Sequence, residues 1–369
     1  MKDQTHAPSI EPYRLGRRKF LRKAGVLGAA VPVAGGLIIS SCYNDPTGGP
    51  SKLTSPTSAA AQTAVAQAQA AATATVSADK DASHKKGIDD FYANQKTPLT
   101  KGKGMEPLAF KMDGNVKVFE LTVDEVEWET TPGNVEKARG YNGTIPGPTI
   151  RATEGDNVRI VVKNNLTEST TVHWHGIKLP NNMDGVSYLT QDPIKSGATW
   201  TYEFPLKNSG SHMYHSHHNS ADQVNRGLLG AFIVAPKDPA TYPKYDREFI
   251  IIMNDSLLGF TINGKGFPAT DALMVKKGEK VLIRWMNEGM MYHPFHLHGL
   301  TMEVFAQDGY PLKNSYLCDN IDVPPGSRFD CLIDADEVGA WAFHCHVLSH
   351  AENEDGFFGL VTAMVVSEA

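Results

Sequence analysis

The chain has 369 residues, with 41 acidic and 35 basic side chains and a formal net charge of -6. That length holds two domains of ordinary size, each able to bury a core of its own. An isoelectric point near 6.2 leaves no basic footprint and argues against nucleic acid as a partner.

At the N-terminus, Arg17-Arg18-Lys19-Phe20-Leu21 precedes an apolar run from about Ala24 to Ile39, which is short for a membrane span. Paired arginines ahead of such a run read as a twin-arginine export signal. The run ends at Ile39-Ser40-Ser41-Cys42, small residues before a cysteine, which resembles a bacterial lipobox. Lipidation of Cys42 would make residues 1–41 a removed signal and leave a periplasmic or cell-envelope protein held to the membrane by its lipid. A plain signal peptide with a chance cysteine is the competing reading. Residues 42–104 shift to Ala, Thr, Ser, Gln and Lys, too poor in large apolar groups to offset the entropy of ordering. They are expected to be a flexible tether.

From Val116 onward, short alternating apolar runs are punctuated by Gly, Pro, Asn and Asp: Val116 to Val123, Asn157 to Val162, Thr199 to Phe204, Ala231 to Ala235 and Glu248 to Met253. Many short strands without a long helical period predict an all-β protein built of β-sandwiches. The Pro- and Lys-containing stretch from Asp238 to Asp246 is the natural join, giving domains over 105–240 and 241–369.

The two halves repeat each other. Residues 154–176 align without gaps to 277–299, pairing Gly155 with Gly278, Asn164 with Asn287, His173 with His296 and His175 with His298. Residues 210–230 align to 339–359, pairing His215 with His344 and His217 with His346. Opposite Cys345, His350 and His293 stand Ser216, Ala221 and Thr170. The cysteine-centred set therefore belongs to the second copy alone, whereas the H-x-H pairs belong to both.

This pattern carries metal chemistry. In a strand, residues i and i+2 share a face, so each H-x-H pair presents two imidazoles to one place. Cys345 points away from its neighbours His344 and His346, so one strand can serve a thiolate site and an imidazole site at once. Thiolate with imidazole suits copper better than hard cations. Ten of the fourteen histidines fall in these motifs, which rules against scattered core or surface histidines; His6, His84, His212 and His218 remain outside. Cys318 and Cys331 flank the turn Val323-Pro324-Pro325-Gly326, and both a cross-strand disulfide and two buried free thiols are open readings.

The motifs His173-Trp174-His175-Gly176, His215-Ser216-His217, His293-Pro294-Phe295-His296-Leu297-His298-Gly299 and His344-Cys345-His346-(x3)-His350 resemble the four copper signatures of multicopper oxidases. Over about 118–366 the chain is similar to the two-domain, small-laccase branch with type 1 copper in the second domain. The resemblance implies two tandem cupredoxin-like Greek-key domains and four coppers per subunit. It assigns type 1 copper to His293, Cys345 and His350, and type 2 copper to His173 and His296. The type 3 pair falls to His175, His215, His217, His298, His344 and His346. Electrons would enter at type 1 and cross Cys345 to His344 and His346.

Two departures follow from the same comparison. The family's axial type 1 residue is often Met after a Gly; the match here is Gly356, which puts the non-coordinating Phe357 there. A site of raised potential is expected, and Phe357→Met should lower it. Oxygen reduction also consumes protons. Asp184 occupies the place of the family's acid near type 2 copper, although Asp before Gly is also a common turn. The other frequent acid position holds Leu348 and Ser349, leaving a second donor unassigned.

The branch implies a head-to-tail homotrimer with trinuclear clusters between subunits. The expected substrates are O2 and phenols, aromatic amines or similar small reductants, delivering electrons near an exposed edge of His350. A cuprous or other metal oxidase is an alternative, but Met290-Met291 is too small a cluster and reads as core packing. A copper nitrite reductase, with type 1 ligands in its first domain, is disfavoured by Ser216. A copper-storage or electron-transfer lipoprotein would not require four H-x-H pairs.

Overall fold

A computed structural model describes residues 79–369. The export signal expected over 1–41, Cys42 and the first part of the tether lie outside the described residues. Among the described residues, no helix is long and apolar enough to cross a membrane.

The tether expectation fails for its C-terminal part. Residues 79–94 form a helix, and Phe91 is buried with its ring stacked on Phe267 at 5.3 Å between centroids. Ala272, Ala351 and Val361 complete that small core. Asn94 Nδ2 donates to the Thr270 carbonyl at 3.2 Å, and Gln95 both donates to that carbonyl and accepts the Ala272 amide. An aromatic residue and two amides help dock a segment whose average composition looks unable to order.

The first domain pairs a five-stranded sheet with a four-stranded one. In the five-stranded sheet, Asn157–Asn164 alternates strictly, turning Val158, Ile160 and Val162 inward, as a half-buried strand must. The four-stranded sheet runs Ile150–Thr153, Leu229–Ala235, Gly210–Ser216, Val172–His175. Leu229–Ala235 is buried on both faces, because Ala231 and Ile233 pack against Ile252 and Met286 of the second domain. The second domain stacks a six-stranded sheet on a five-stranded one, the latter ordered Leu273–Lys276, Val361–Ser367, Gly339–Cys345, His293–Leu297, Asn320–Val323. The result is two cupredoxin-like β-sandwiches.

The repeat holds at the level of single hydrogen bonds. Asn164, fully buried, donates to the Glu168 and Ile194 carbonyls and accepts the Leu166 amide. Asn287, equally buried, donates to the Met291 and Val323 carbonyls and accepts the Gly289 amide. Each locks the loop that leads into its domain's H-x-H strand.

The disulfide reading is not supported. Cys318 pairs with Met302 and Cys331 with Val304, on opposite edges of the strand Met302–Gln307. Two inter-strand spacings, about 10 Å, separate their backbones, beyond the roughly 7 Å reach of a disulfide. Both thiols are free.

Candidate metal centres

The second domain brings His293, Cys345 and His350 together in its interior, all buried. Phe295 pairs with Cys345 across neighbouring strands, which sets His293 two residues away on the same inward face. Cys345 Sγ lies 3.8 Å from His293 Nδ1 and 3.7 Å from His350 Nδ1. Bonds of about 2.3 Å to sulfur and 2.0 Å to nitrogen around one trigonal ion separate such atoms by about 3.7 Å. The donor spacing thus fits a metal, and a soft thiolate with two imidazoles fits copper. Burial pushes the Cys345 thiol up to about 11, so holding a cation here requires displacing that proton.

Two partners of this site have no signature in the sequence. Asp255, buried, lies 2.7 Å from His293 Nε2 and also accepts the Met290 and Met291 amides. The carboxylate accepts a hydrogen bond from the Nε2–H and leaves Nδ1 free to face Cys345. Phe260 stacks on the His350 ring at 4.3 Å between centroids.

The first domain carries a hydrogen-bonded trio where the second has its thiolate site. Thr170 Oγ1 and Ser216 Oγ both donate to Gln223 Oε1, at 2.8 and 2.6 Å, and all three residues are buried. Gapless alignment puts Ala221 opposite His350, but the side chain that fills the place is Gln223, two residues on. Oxygen and amide groups satisfy one another here and present no soft donor.

The H-x-H pairs form two half-sites of four imidazoles each. His173 sits directly across from His215, and His296 directly across from His344. In the first domain, His175 Nδ1 and His215 Nε2 are 3.3 Å apart, and His173, His175 and His215 gather nitrogen atoms within 4.8 Å of one another. In the second, His298 Nε2 and His344 Nε2 are 3.1 Å apart. The anchoring repeats as well. His173 and His296 set Nδ1 against the carbonyls of Asp184 (2.8 Å) and Asp319 (2.9 Å). His215 and His344 set theirs, at 3.0 Å, against the carbonyls of Ser216 and Cys345. A carbonyl only accepts, so each ring carries its proton on Nδ1 and offers Nε2 outward.

Desolvation favours the neutral form of several of these rings, the form a metal ligand needs. Desolvation, helped by the nearby Arg328 guanidinium, lowers His175 to about 2. Desolvation lowers His215 to about 4 and the non-motif His212 to about 3; His173, His298 and His344 shift the same way for the same leading reason. In copper-free protein the unfolded chain takes up protons at these positions below about pH 6.5 while the folded chain does not. Stability is therefore complete above that pH and falls as pH drops towards 4. The melting temperature of copper-free protein is expected to be lower at pH 5 than at pH 7 by about 5 °C or more; a flat profile from scanning calorimetry would contradict these burials.

Two family models, each described as multicopper oxidase, match residues 122–239 and 241–367. The chain belongs to the multicopper oxidase family. It is 30% identical over 281 residues to a copper resistance protein A homolog of Pseudomonas syringae, covering 58% of this chain and 47% of that protein. It is 32% identical over 250 residues to laccase-1 of Thanatephorus cucumeris, covering 57% and 43%. The chain spans about half the length, or less, of the curated relatives it matches. Among solved structures, the multicopper oxidase mgLAC aligns at 34% identity and TM-score 0.63 over 68% of this chain and 86% of its own. The blue copper oxidase of Nitrosomonas europaea aligns at 29% and 0.63, over 68% and 85%.

Not every expected position falls where the sequence put it. Phe357 is 38% exposed, and its ring meets His84 and Phe267 rather than capping a buried site. The fully buried residue joined to Cys345 is Leu360, whose carbonyl accepts the Cys345 amide at 3.0 Å. Neither side chain carries a donor atom, but the outward Phe357 removes the basis for expecting Phe357→Met to lower the potential. Met290 and Met291, read as core packing, are 64% and 39% exposed, three and two residues before His293. Asp184 Oδ1 stands 3.5 Å from His173 Nδ1; it is also a turn residue, since a Cβ on the following Gly185 would meet the Val172 carbonyl at 1.8 Å. Asp319, missed in the sequence, sets a carboxylate oxygen 4.0 Å from His296 Nδ1.

Proposed function

We propose that the protein couples one-electron oxidation of phenolic or similar aromatic reductants to four-electron reduction of O2 to water, using four coppers per subunit. Bound copper would supply the electron chemistry: one ion at the thiolate site receiving single electrons, and three among the paired imidazoles passing four of them to O2. The chain's own residues position and insulate. His293, held by Asp255, and His350, covered by Phe260, fix the thiolate site, while Cys345 joins it through one backbone step to His344 and His346. Asp184 and Asp319, each beside an outward-facing imidazole, are placed to hand protons to that site.

The observation that carries the assembly is the separation of the half-sites. Among the described residues, His173, His175, His215 and His217 meet one another, and His296, His298, His344 and His346 meet one another, but no ring pair joins the two sets. His298 and His346 lie exposed. This separation supports a cluster of eight imidazoles built from the first domain of one subunit and the second domain of the next, which we read as a ring closed as a homotrimer. Light scattering with copper analysis should give a trimer's mass for the copper-loaded, active species; a monomer with full copper content and activity refutes this assembly. The sequence also supports export through the twin-arginine signal and a lipid anchor at Cys42.

A second reading concerns the reductant. Exposed Met290 and Met291 beside His293 offer soft sulfur donors, and several relatives are named copper resistance protein A. Cuprous ion is therefore the competing donor. If it is the physiological one, replacing both methionines with leucine will slow cuprous oxidation and spare phenol oxidation.

A further inference from the structure

His350 is only 7% exposed, so a reductant cannot rest on its edge as the sequence implied. What covers it is the Phe260 ring, nearly parallel at an interplanar angle of 22°. This contact is built in. Gly359 has φ +63, and a Cβ there would come within 2.8 Å of Phe260 Cβ and 2.6 Å of the His350 carbonyl oxygen. Only glycine lets the phenyl ring settle on the imidazole.

Phe260 is half-buried, and it lines a cleft of about 500 Å³ together with Leu258, Phe267 and Phe358. The opposite wall comes from two other parts of the chain: Thr130, Thr131 and Asn134 at the tip of the hairpin joining Val116–Thr131 to Asn134–Tyr141, and Lys86 and Asp90 of the helix over 79–94. The walls are pinned. The Gly266 amide donates to the Thr130 carbonyl at 3.0 Å, Trp128 Nε1 donates to the Gly264 carbonyl at 2.7 Å, and Phe91 of the helix stacks on Phe267. A cleft of this size with an apolar floor and a few polar groups is typical of a small-molecule site.

We propose that this cleft holds the aromatic reductant, that the electron leaves it through the Phe260–His350 stack, and that the helix over 79–94 sets which ring charges are accepted. The inference rests on the reading of the protein as an oxidase of aromatic donors. A planar ring packs edge-to-face or offset on Phe260 and Phe358, whose own rings stand at 70° to one another, as aromatic groups prefer. Thr131 and Asn134 line the same cleft and carry groups that suit a phenolic hydroxyl, while the buried Thr130 hydroxyl accepts from Asn134 Nδ2. Each phenol loses one electron and its hydroxyl proton to become a phenoxyl radical. The proton leaves to water, and the electron would pass to cupric copper held by His293, Cys345 and His350; four such electrons and four protons balance the conversion of O2 to two waters. Phe260 bridges the transfer and is not itself oxidised.

The test uses copper-loaded protein, with blue absorption confirming that copper is bound in each variant. Phe260→Leu should weaken equilibrium binding of 4-nitrophenol, a ring too electron-poor to be turned over, by about fivefold, the worth of one aromatic contact. It should also raise KM for 2,6-dimethoxyphenol by a similar factor. Lys86→Glu, which replaces the Lys86–Asp90 ion pair at the cleft wall with two acids, should raise KM for the anionic donor syringate about threefold more than KM for 2,6-dimethoxyphenol. Unchanged 4-nitrophenol binding and unchanged KM in Phe260→Leu overturn the cleft, and equal effects on the two donors in Lys86→Glu overturn the role of the helix. Wild-type protein that consumes no O2 with either phenol would instead overturn the underlying reading, which separates the two failures.

Discussion

Cys345→Ser is expected to remove the blue absorption and reduce oxidation of any one-electron donor by about 1,000-fold or more, since no other soft anionic ligand can replace the thiolate. The rest of the centre remains in place. His344 and His346 hang from the same strand, and the His344 ring is fixed by the Cys345 backbone carbonyl rather than its sulfur. The imidazole half-sites should therefore still bind copper, leaving the variant with about three of four metal ions. The first domain already contains the natural form of this change: Ser216 stands at the corresponding position between His215 and His217, in a trio closed by Gln223. Copper analysis, visible absorption and O2 uptake together decide the matter. A serine variant that still oxidised phenols would contradict the electron path through Cys345.

The second large effect concerns stability. Arg284 is buried at the domain junction, with its side chain 6% exposed, and faces Asp330 at 2%. Ser211 of the first domain donates to Asp330 at 2.5 Å and accepts from Arg284 at 2.9 Å, while Tyr242 bonds both partners and Glu248 binds Arg284 from the other side. Asp330→Ala leaves a guanidinium without its innermost carboxylate and should cost about 3–5 kcal/mol in denaturant unfolding. The double replacement Arg284→Met with Asp330→Leu should recover much of that loss, because it removes both charges together. A loss below about 1 kcal/mol for Asp330→Ala would mean that water or Glu248 alone satisfies Arg284.

How much of this was legible in the sequence depended on how far the signal had to travel. His173-Trp174-His175 and His344-Cys345-His346 carry their meaning within three residues, because a strand's period of two places each side chain. The repeat pairing Asn164 with Asn287 was equally readable, and both residues prove to hold equivalent loops. Asp255 was not readable: it acts on His293 from 38 positions away, with only chain folding to bring them together. Gln223 escaped because gapless alignment pointed to Ala221, while the side chain that reaches the trio starts two residues later. The helix over 79–94 was hidden by average composition, since Phe91, Asn94 and Gln95 do its docking among many small and charged neighbours. Cys318 and Cys331 looked like disulfide partners because a turn separates them in sequence, yet a whole strand separates them in the sheet. Phe357 looked axial because it follows Gly356, and the acidic hairpin around it carries the ring outward.

The most direct measurement is O2 uptake by purified, copper-loaded protein with 2,6-dimethoxyphenol, with copper counted per chain and peroxide assayed in the same samples. Four coppers per chain, one O2 consumed for every four donor molecules oxidised and no accumulated peroxide are the expected result. One or two coppers per chain, no O2 uptake, or stoichiometric peroxide would contradict a thiolate site wired to a cluster of paired imidazoles.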